Sequence, residues 1–109
     1  MDRKQIAIDF ANSLNFPEIE KVILFGSVAR GEDNKNSDID ILIIIKNIND
    51  KLKIRDEIYT KVWDILLSTG ELISIKMKTL EHYNKYKEFP FFSNIENEGV
   101  AIGCGKINV

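Results

Sequence analysis

An α/β fold, one sheet with a few covering helices, is predicted by three features of the amino-acid sequence. Two short β-prone runs, residues 21–25 and 38–45, bracket a polar loop rich in Gly, Ser, Asn and Asp. An apolar pattern of helical period follows, carried by Ile54, Ile58, Val62 and Ile65 or Leu66. Residues 71–77 are then β-like again, so strand, helix and strand succeed one another from Asp38 onward.

The first element is a helix of about three turns. Asp2 with Gln5 three positions later has the form of a capping box, Ile6, Phe10 and Leu14 follow at four-residue intervals, and Pro17 stops the run. Both early β runs read as interior strands, with one helical turn expected at 27–30 inside the loop between them. The long helix takes Asn49 or Asp50 as its cap and Gly70 as its stop. On it, Tyr59, Trp63 and Leu67 widen the apolar face. At helical spacing a core role is the simpler reading for them, a partner-binding stripe the sharper one.

A shorter helix is expected from a Thr79 cap, ending before Pro90. Ser93 with Glu96 repeats the capping-box pattern and opens a turn closed by Gly99. An edge strand over 100–102 and a tail over 103–109 complete the chain. With 109 residues, 44% hydrophobic and 29% charged, the expectation is one domain spanning 1–109 with its core over about 3–102.

Fifteen basic and seventeen acidic side chains leave a net charge of -2, which provides no broad positive field for an extended nucleic-acid surface. Twelve of the cations are Lys, so Arg3, Arg30 and Arg55 are the only candidates for bidentate phosphate contacts, and Arg3 and Arg55 read as solvated. A lone cysteine, Cys104, excludes an internal disulfide and a cysteine-based zinc site. The charged N-terminus and the absence of a long apolar run point to a reduced, cytoplasmic protein without a membrane span.

The chemistry is expected in Leu-Phe-Gly26-Ser27-Val-Ala-Arg30-Gly31 and in Ser37-Asp38-Ile39-Asp40. A strand that runs into Gly-Ser and a helix start gathers backbone N–H groups and a hydroxyl where an anion could sit, although any strand-to-helix turn can carry the same pair. Glu32 stands where a P-loop requires lysine. Asp38 and Asp40, two apart at the start of a strand, send both carboxylates to one face about 7 Å apart. A cation between them would relieve their repulsion, and magnesium is commonly held by one or two carboxylates with water and phosphate completing its octahedron. The plainer alternative is a strand that merely begins with Asp.

Joined, these segments resemble the signature of the nucleotidyltransferase superfamily typified by DNA polymerase beta: Gly-Ser, two residues, Arg-Gly, a loop, then Ser-Asp-x-Asp. The nearest likeness is to the minimal nucleotidyltransferases, small proteins encoded beside a partner of the HEPN class and acting as its antitoxin. The resemblance implies the polymerase beta-like fold, a small mixed sheet with helices mainly on one face. It implies transfer of AMP from ATP to a hydroxyl of a partner protein, with Mg2+ or Mn2+ as cofactor. Gly26 and Ser27 would hold the β and γ phosphates, Arg30 would fix the loop or meet the triphosphate, and Asp38 and Asp40 would be the catalytic, metal-binding pair.

Family members add a third carboxylate on the neighbouring strand, where this sequence has Ser74; Glu71, three residues earlier, falls on the opposite strand face. A serine hydroxyl is a poor metal ligand and no base near neutral pH. Two readings follow: an adenylyltransferase that uses the two aspartates with Glu71 or a partner's group, or a catalytically weak nucleotide-binding module that acts by binding its toxin. Too few residues remain for an acceptor-binding domain, so the acceptor comes from a second copy or a heterologous partner. Lys76 and Lys78 could attract triphosphate, but the exposed end of a strand is the simpler reading. His82 lacks a second imidazole and reads as a surface or packing residue, and Phe89, Phe91 and Phe92 read as anchors for the closing segment.

Overall fold

The computed structural model describes residues 2–103. Cys104 and the rest of the expected tail lie outside the described residues. Nine elements follow in order: α1 Arg3–Asn12, β1 Ile19–Phe25, α2 Gly26–Arg30, β2 Ile39–Ile45, α3 Ile48–Thr69, β3 Ile73–Thr79, α4 Leu80–Tyr86, α5 Pro90–Glu98 and β4 Val100–Ala101.

The strands form one mixed sheet in the order β3-β2-β1-β4. β1 pairs antiparallel with both β2 and β4, whereas β2 and β3 are parallel, as the intervening α3 crossover requires. β1 and β2 are therefore the interior strands that their β-prone runs predict. β4 is the edge strand, with its end tied by Ile102 N–H donating to Val22 O at 2.9 Å.

Alternation along β2 divides the core. Ile39, Ile41, Ile43 and Ile45 join Phe10 of α1, Val28 of α2 and Ile54, Ile58 and Val62 of α3 on one face. Leu42 and Ile44 meet Tyr83 of α4 and Phe92 and Ile95 of α5 on the other. The greater share of the helical chain thus covers one face, and the two short helices cover the other.

Local chemistry explains most boundaries and corrects several. Asp2 caps α1 by accepting from Lys4 N–H at 2.9 Å, but Gln5 donates to Asp9 instead of closing a capping box. The box belongs to α3, where Asn47 and Asp50 satisfy each other's backbone N–H, with the cap two or three residues before the expected Asn49 or Asp50. Gly70 ends that helix with φ 80°. Thr79 caps α4 as expected, accepting from His82 N–H. α4 ends at Tyr86, before Pro90 as expected, and Pro90 is itself the first residue of α5, where its missing N–H costs nothing; Ser93 lies inside that helix and does not open it. Strand β3 runs two residues later than the sequence suggests.

Candidate active site

Two crossings of the sheet build the site. β1 delivers Phe25, after which Gly26 at φ 78° turns the chain into α2 and places Ser27 in its first turn. β2 enters beside it, so that Phe25, Asp40 and Ser74 form one row across β1, β2 and β3. The turn and the carboxylate touch: a Cβ on Gly26 would fall inside contact distance of Asp40 Oδ2 and 3.1 Å from its Cγ. Glycine is needed here for its left-handed backbone and also for the space it leaves to Asp40.

The loop that delivers Asp38 is held from several sides. Gly31 closes α2 with φ 73°, and Glu32 N–H donates to Ser27 O at 2.9 Å. Ser37 Oγ accepts from Asn34 N–H at 3.0 Å, and Asn36 N–H donates to Asn34 Oδ1 at 2.8 Å. The serine of Ser-Asp-x-Asp is thus committed to the turn. Ile39 N–H then donates to Leu72 O at 2.9 Å, which starts β2 against the segment leading into β3.

Arg3 overturns its reading as a solvated cation. Its side chain is only 13% exposed, and its Nε donates to Glu71 at 2.8 Å while Nη1 meets Asp33 at 2.9 Å. It also donates to the carbonyls of Asn34 and Lys35, so one guanidinium ties α1, the Asp33 loop and the entry to β3. This fixes the fate of Glu71, which is paired with α1 on the face away from Asp40. Ser74 pairs with Asp40 in the β2–β3 register. Arg55, half exposed and 3.8 Å from Asp56, remains the solvated cation its position suggests.

Asp38 is exposed and Asp40 half-buried. Burial and, next, the charge of Asp38 raise the Asp40 carboxyl above its ordinary value, while Lys76 and Arg30 pull it back. One carboxylate and two cations therefore act on the Asp40 carboxyl. Lys76 follows Ser74 on the same face of β3; the sequence understates it, because its neighbour is set by the parallel β2–β3 register. Arg30 donates from Nη1 to Glu98 at 2.8 Å and from Nε to Glu32 at 2.9 Å, and these bonds, the one to Glu98 foremost, hold its proton more firmly than usual. Glu98, on α5, carried no motif signal.

An open cleft of about 270 Å³ lies beside the turn, lined by Phe25, Gly26, Arg30, Phe91, Asn94, Ile95 and Glu98. Space next to the turn is thus not filled by packed side chains. Phe91 stands edge-on to Phe25 with centroids 6.2 Å apart, while Phe92 is the buried anchor and Phe89 is largely exposed. His82 packs against Tyr86 and Phe92, with centroids 4.7 and 5.7 Å away. Among the described residues, no group of three or more His, Cys, Asp or Glu side chains could hold a metal ion unaided.

A sheet of this topology with a glycine turn against an Asp-x-Asp strand defines a nucleotidyltransferase-type site. The chain belongs to the family described as polymerase beta, nucleotidyltransferase, which matches residues 7–106. "Putative protein adenylyltransferase MJ0604" of Methanocaldococcus jannaschii is 34% identical over 102 residues, covering 91% of this chain and 96% of the relative. "Putative protein adenylyltransferase MJ0141" of the same organism is 34% identical over 91 residues, covering 78% and 80%. Among solved structures, a chain of a toxin–antitoxin crystallised with AMP-PNP superposes with TM-score 0.59 at 16% identity, over 97% of this chain and 76% of that one. A chain of a mutant toxin–antitoxin MntA-HpeT gives TM-score 0.57 at 15% identity over the same shares. At that identity the likeness is one of fold. Among the described residues, no helix is long and apolar enough to cross a membrane.

Proposed function

We propose that the protein is a magnesium-dependent adenylyltransferase that moves AMP from ATP to a hydroxyl of a partner protein, and that it serves as the antitoxin of a HEPN-class toxin. The observation that carries this reading is the Gly26 turn lying against Asp40, with Asp38, Lys76 and Arg30 acting on the same carboxylate. The adenylyltransferase names of the two relatives and the toxin–antitoxin neighbours support the acceptor class.

The donor set suits magnesium. Two carboxylates that repel one another, one of them half-buried, meet the modest demand of an ion that completes its shell with water and phosphate oxygens. Asp38 and Asp40 would hold it, and the bound ion would neutralise charge on the triphosphate and align it. Gly26 permits a phosphate to approach the backbone, and Ser27 offers its hydroxyl. Arg30 would exchange a carboxylate for phosphate oxygens, and Lys76 would face the charge that develops near the α-phosphate. The acceptor oxygen attacks the α-phosphorus, the bond to the β-phosphate breaks, and pyrophosphate leaves. Ser74 cannot take the acceptor's proton, so that base comes from the partner or from solvent.

That same serine favours a second reading, a nucleotide-binding module that neutralises its toxin by covering it. Incubation with ATP labelled at the α-phosphate, magnesium and the product of a neighbouring HEPN gene separates the two. Label on the partner that disappears in Asp38→Ala plus Asp40→Ala is the expected result. No label, with neutralisation surviving the double substitution, supports the binding module instead.

A further inference from the structure

The strongest unassigned feature lies on the outer side of α3. Ile48, Leu52, Tyr59, Trp63 and Leu67 are 65%, 75%, 46%, 58% and 69% exposed, so the core role that helical spacing suggests for the last three is wrong. The core is reached instead by Ile54, Ile58 and Val62. At about 100° per residue the five exposed side chains fall within an arc of about 100°, in a stripe about 28 Å long. An exposed apolar stripe of this length, interrupted only by Asp56, marks a binding surface.

We infer that this stripe is the interface of a homodimer in which two copies of α3 pack antiparallel about a two-fold axis between Glu57 and Ile58. A two-fold interface must be complementary to itself, and the stripe is nearly palindromic. Antiparallel pairing about that point sets Ile48 opposite Leu67 and Leu52 opposite Trp63 of the second copy. It also brings Asp56, on the same arc, opposite Tyr59, whose hydroxyl can donate to its carboxylate. Parallel pairing would set Asp56 against its own copy and align the two helix dipoles, both unfavourable. With Asp56 counted among them, successive members lie three to four residues apart, which suits a shallow crossing.

The area is sufficient. At about 200 Å² for a large apolar side chain, the five exposures amount to roughly 600 Å² per copy, so covering them fully would bury about 1,200 Å² for the pair before any rim, at the lower end of stable interfaces. None of the five stripe residues lines the cleft beside Gly26, so the inference stands whether or not the protein transfers AMP.

Trp63 is the chain's only tryptophan, so its fluorescence reports the event directly. Sedimentation of the full chain, taken up to about 100 µM, is expected to show the mass doubling, with Trp63 emission moving to shorter wavelength along the same concentration curve. Leu52→Glu, at a position 75% exposed, is expected to remain folded and monomeric with red-shifted emission throughout. In a Cys104→Ser background, Ile48→Cys plus Leu67→Cys is expected to cross-link between copies on oxidation, whereas Ile48→Cys alone is not. A wild type that stays monomeric, a dimer unaffected by Leu52→Glu, cross-linking by Ile48→Cys alone, or a stripe protected only by a heterologous partner each overturn the proposal.

Discussion

At Gly26 a backbone requirement and a chemical one meet in a single residue. Its φ of 78° disfavours any side chain by about 1–2 kcal/mol, and the Cβ of an alanine would press on Asp40 Oδ2. Gly26→Ala is expected to lower the melting temperature by roughly 5–15 °C and to weaken ATP binding, measured by calorimetry, because the carboxylate must move away from the turn. Asp40 carries a pH signature. A carboxyl raised in the folded state binds its proton more tightly there than in the unfolded chain; it stabilises below its unfolded value and loses that contribution as pH rises through the folded one. Asp40→Asn is therefore expected to melt above wild type at about pH 7 in metal-free buffer, with the advantage closing as pH falls into the ordinary carboxylate range. A difference that is flat with pH, or of the opposite sign, would show that burial and Asp38 do not oppose ionisation. The placement of Gly26 at a strand-to-helix turn and of Asp40 on a strand was legible in the sequence, because it follows from local conformation and strand period. Arg3 and Lys76 were not. The ion pair of Arg3 with Glu71 spans 68 positions, and the placement of Lys76 beside the site depends on strand register, to which periodicity is blind.

Between elements, the connection that bears on function is Arg30 of α2 with Glu98 of α5. Glu98 and Glu32 occupy Arg30 donors that, on the proposed function, would meet the triphosphate. Glu98→Gln removes one competing charge, and ATP affinity is expected to tighten by roughly two- to five-fold, the scale of a partly exposed ion pair. An affinity that falls instead would assign Glu98 to holding Arg30 in its binding position. On the opposite side, the Arg3 guanidinium clamps the loop that presents Asp38. Arg3→Met is expected to speed amide exchange at residues 34–37, measured by hydrogen exchange, while the amides of β2 stay protected. Helix positions were largely legible, as was the Ile54, Ile58 and Val62 line that α3 buries, but the width of that face was not, since Tyr59, Trp63 and Leu67 point outward. That helix carries two apolar arcs, and only the sheet decides where the covered one ends. The start of α5 was misjudged for a related reason: proline ends a helix from within yet begins one from its first position.

For the molecule as a whole, β2 is the strand on which both halves of the core depend. Ile39 and the run from Ile41 to Ile45 have no exposed surface at all, since helices cover both faces and strands flank both edges. An isoleucine run this dense announces an interior strand in the sequence; the split of its two faces between separate helix layers appears only once α4 and α5 are placed. Ile41→Ala and Ile44→Ala remove side chains from different clusters, one packed beneath α1 and α3 and the other beneath α4 and α5. Each is expected to cost about 2–5 kcal/mol, lowering the melting temperature by roughly 10–30 °C. The two positions are about 10 Å apart along the strand and share no packing layer, so their costs are expected to add within about 0.5 kcal/mol. The sum of about 4–10 kcal/mol is comparable to the whole stability of a domain of this size, so the double variant is expected to be largely unfolded at 37 °C while each single variant stays folded. Urea titration of the two single variants and of the double variant in the cold checks this. A double variant markedly more stable than the sum would mean that the two layers relax together through β2 and behave as one core.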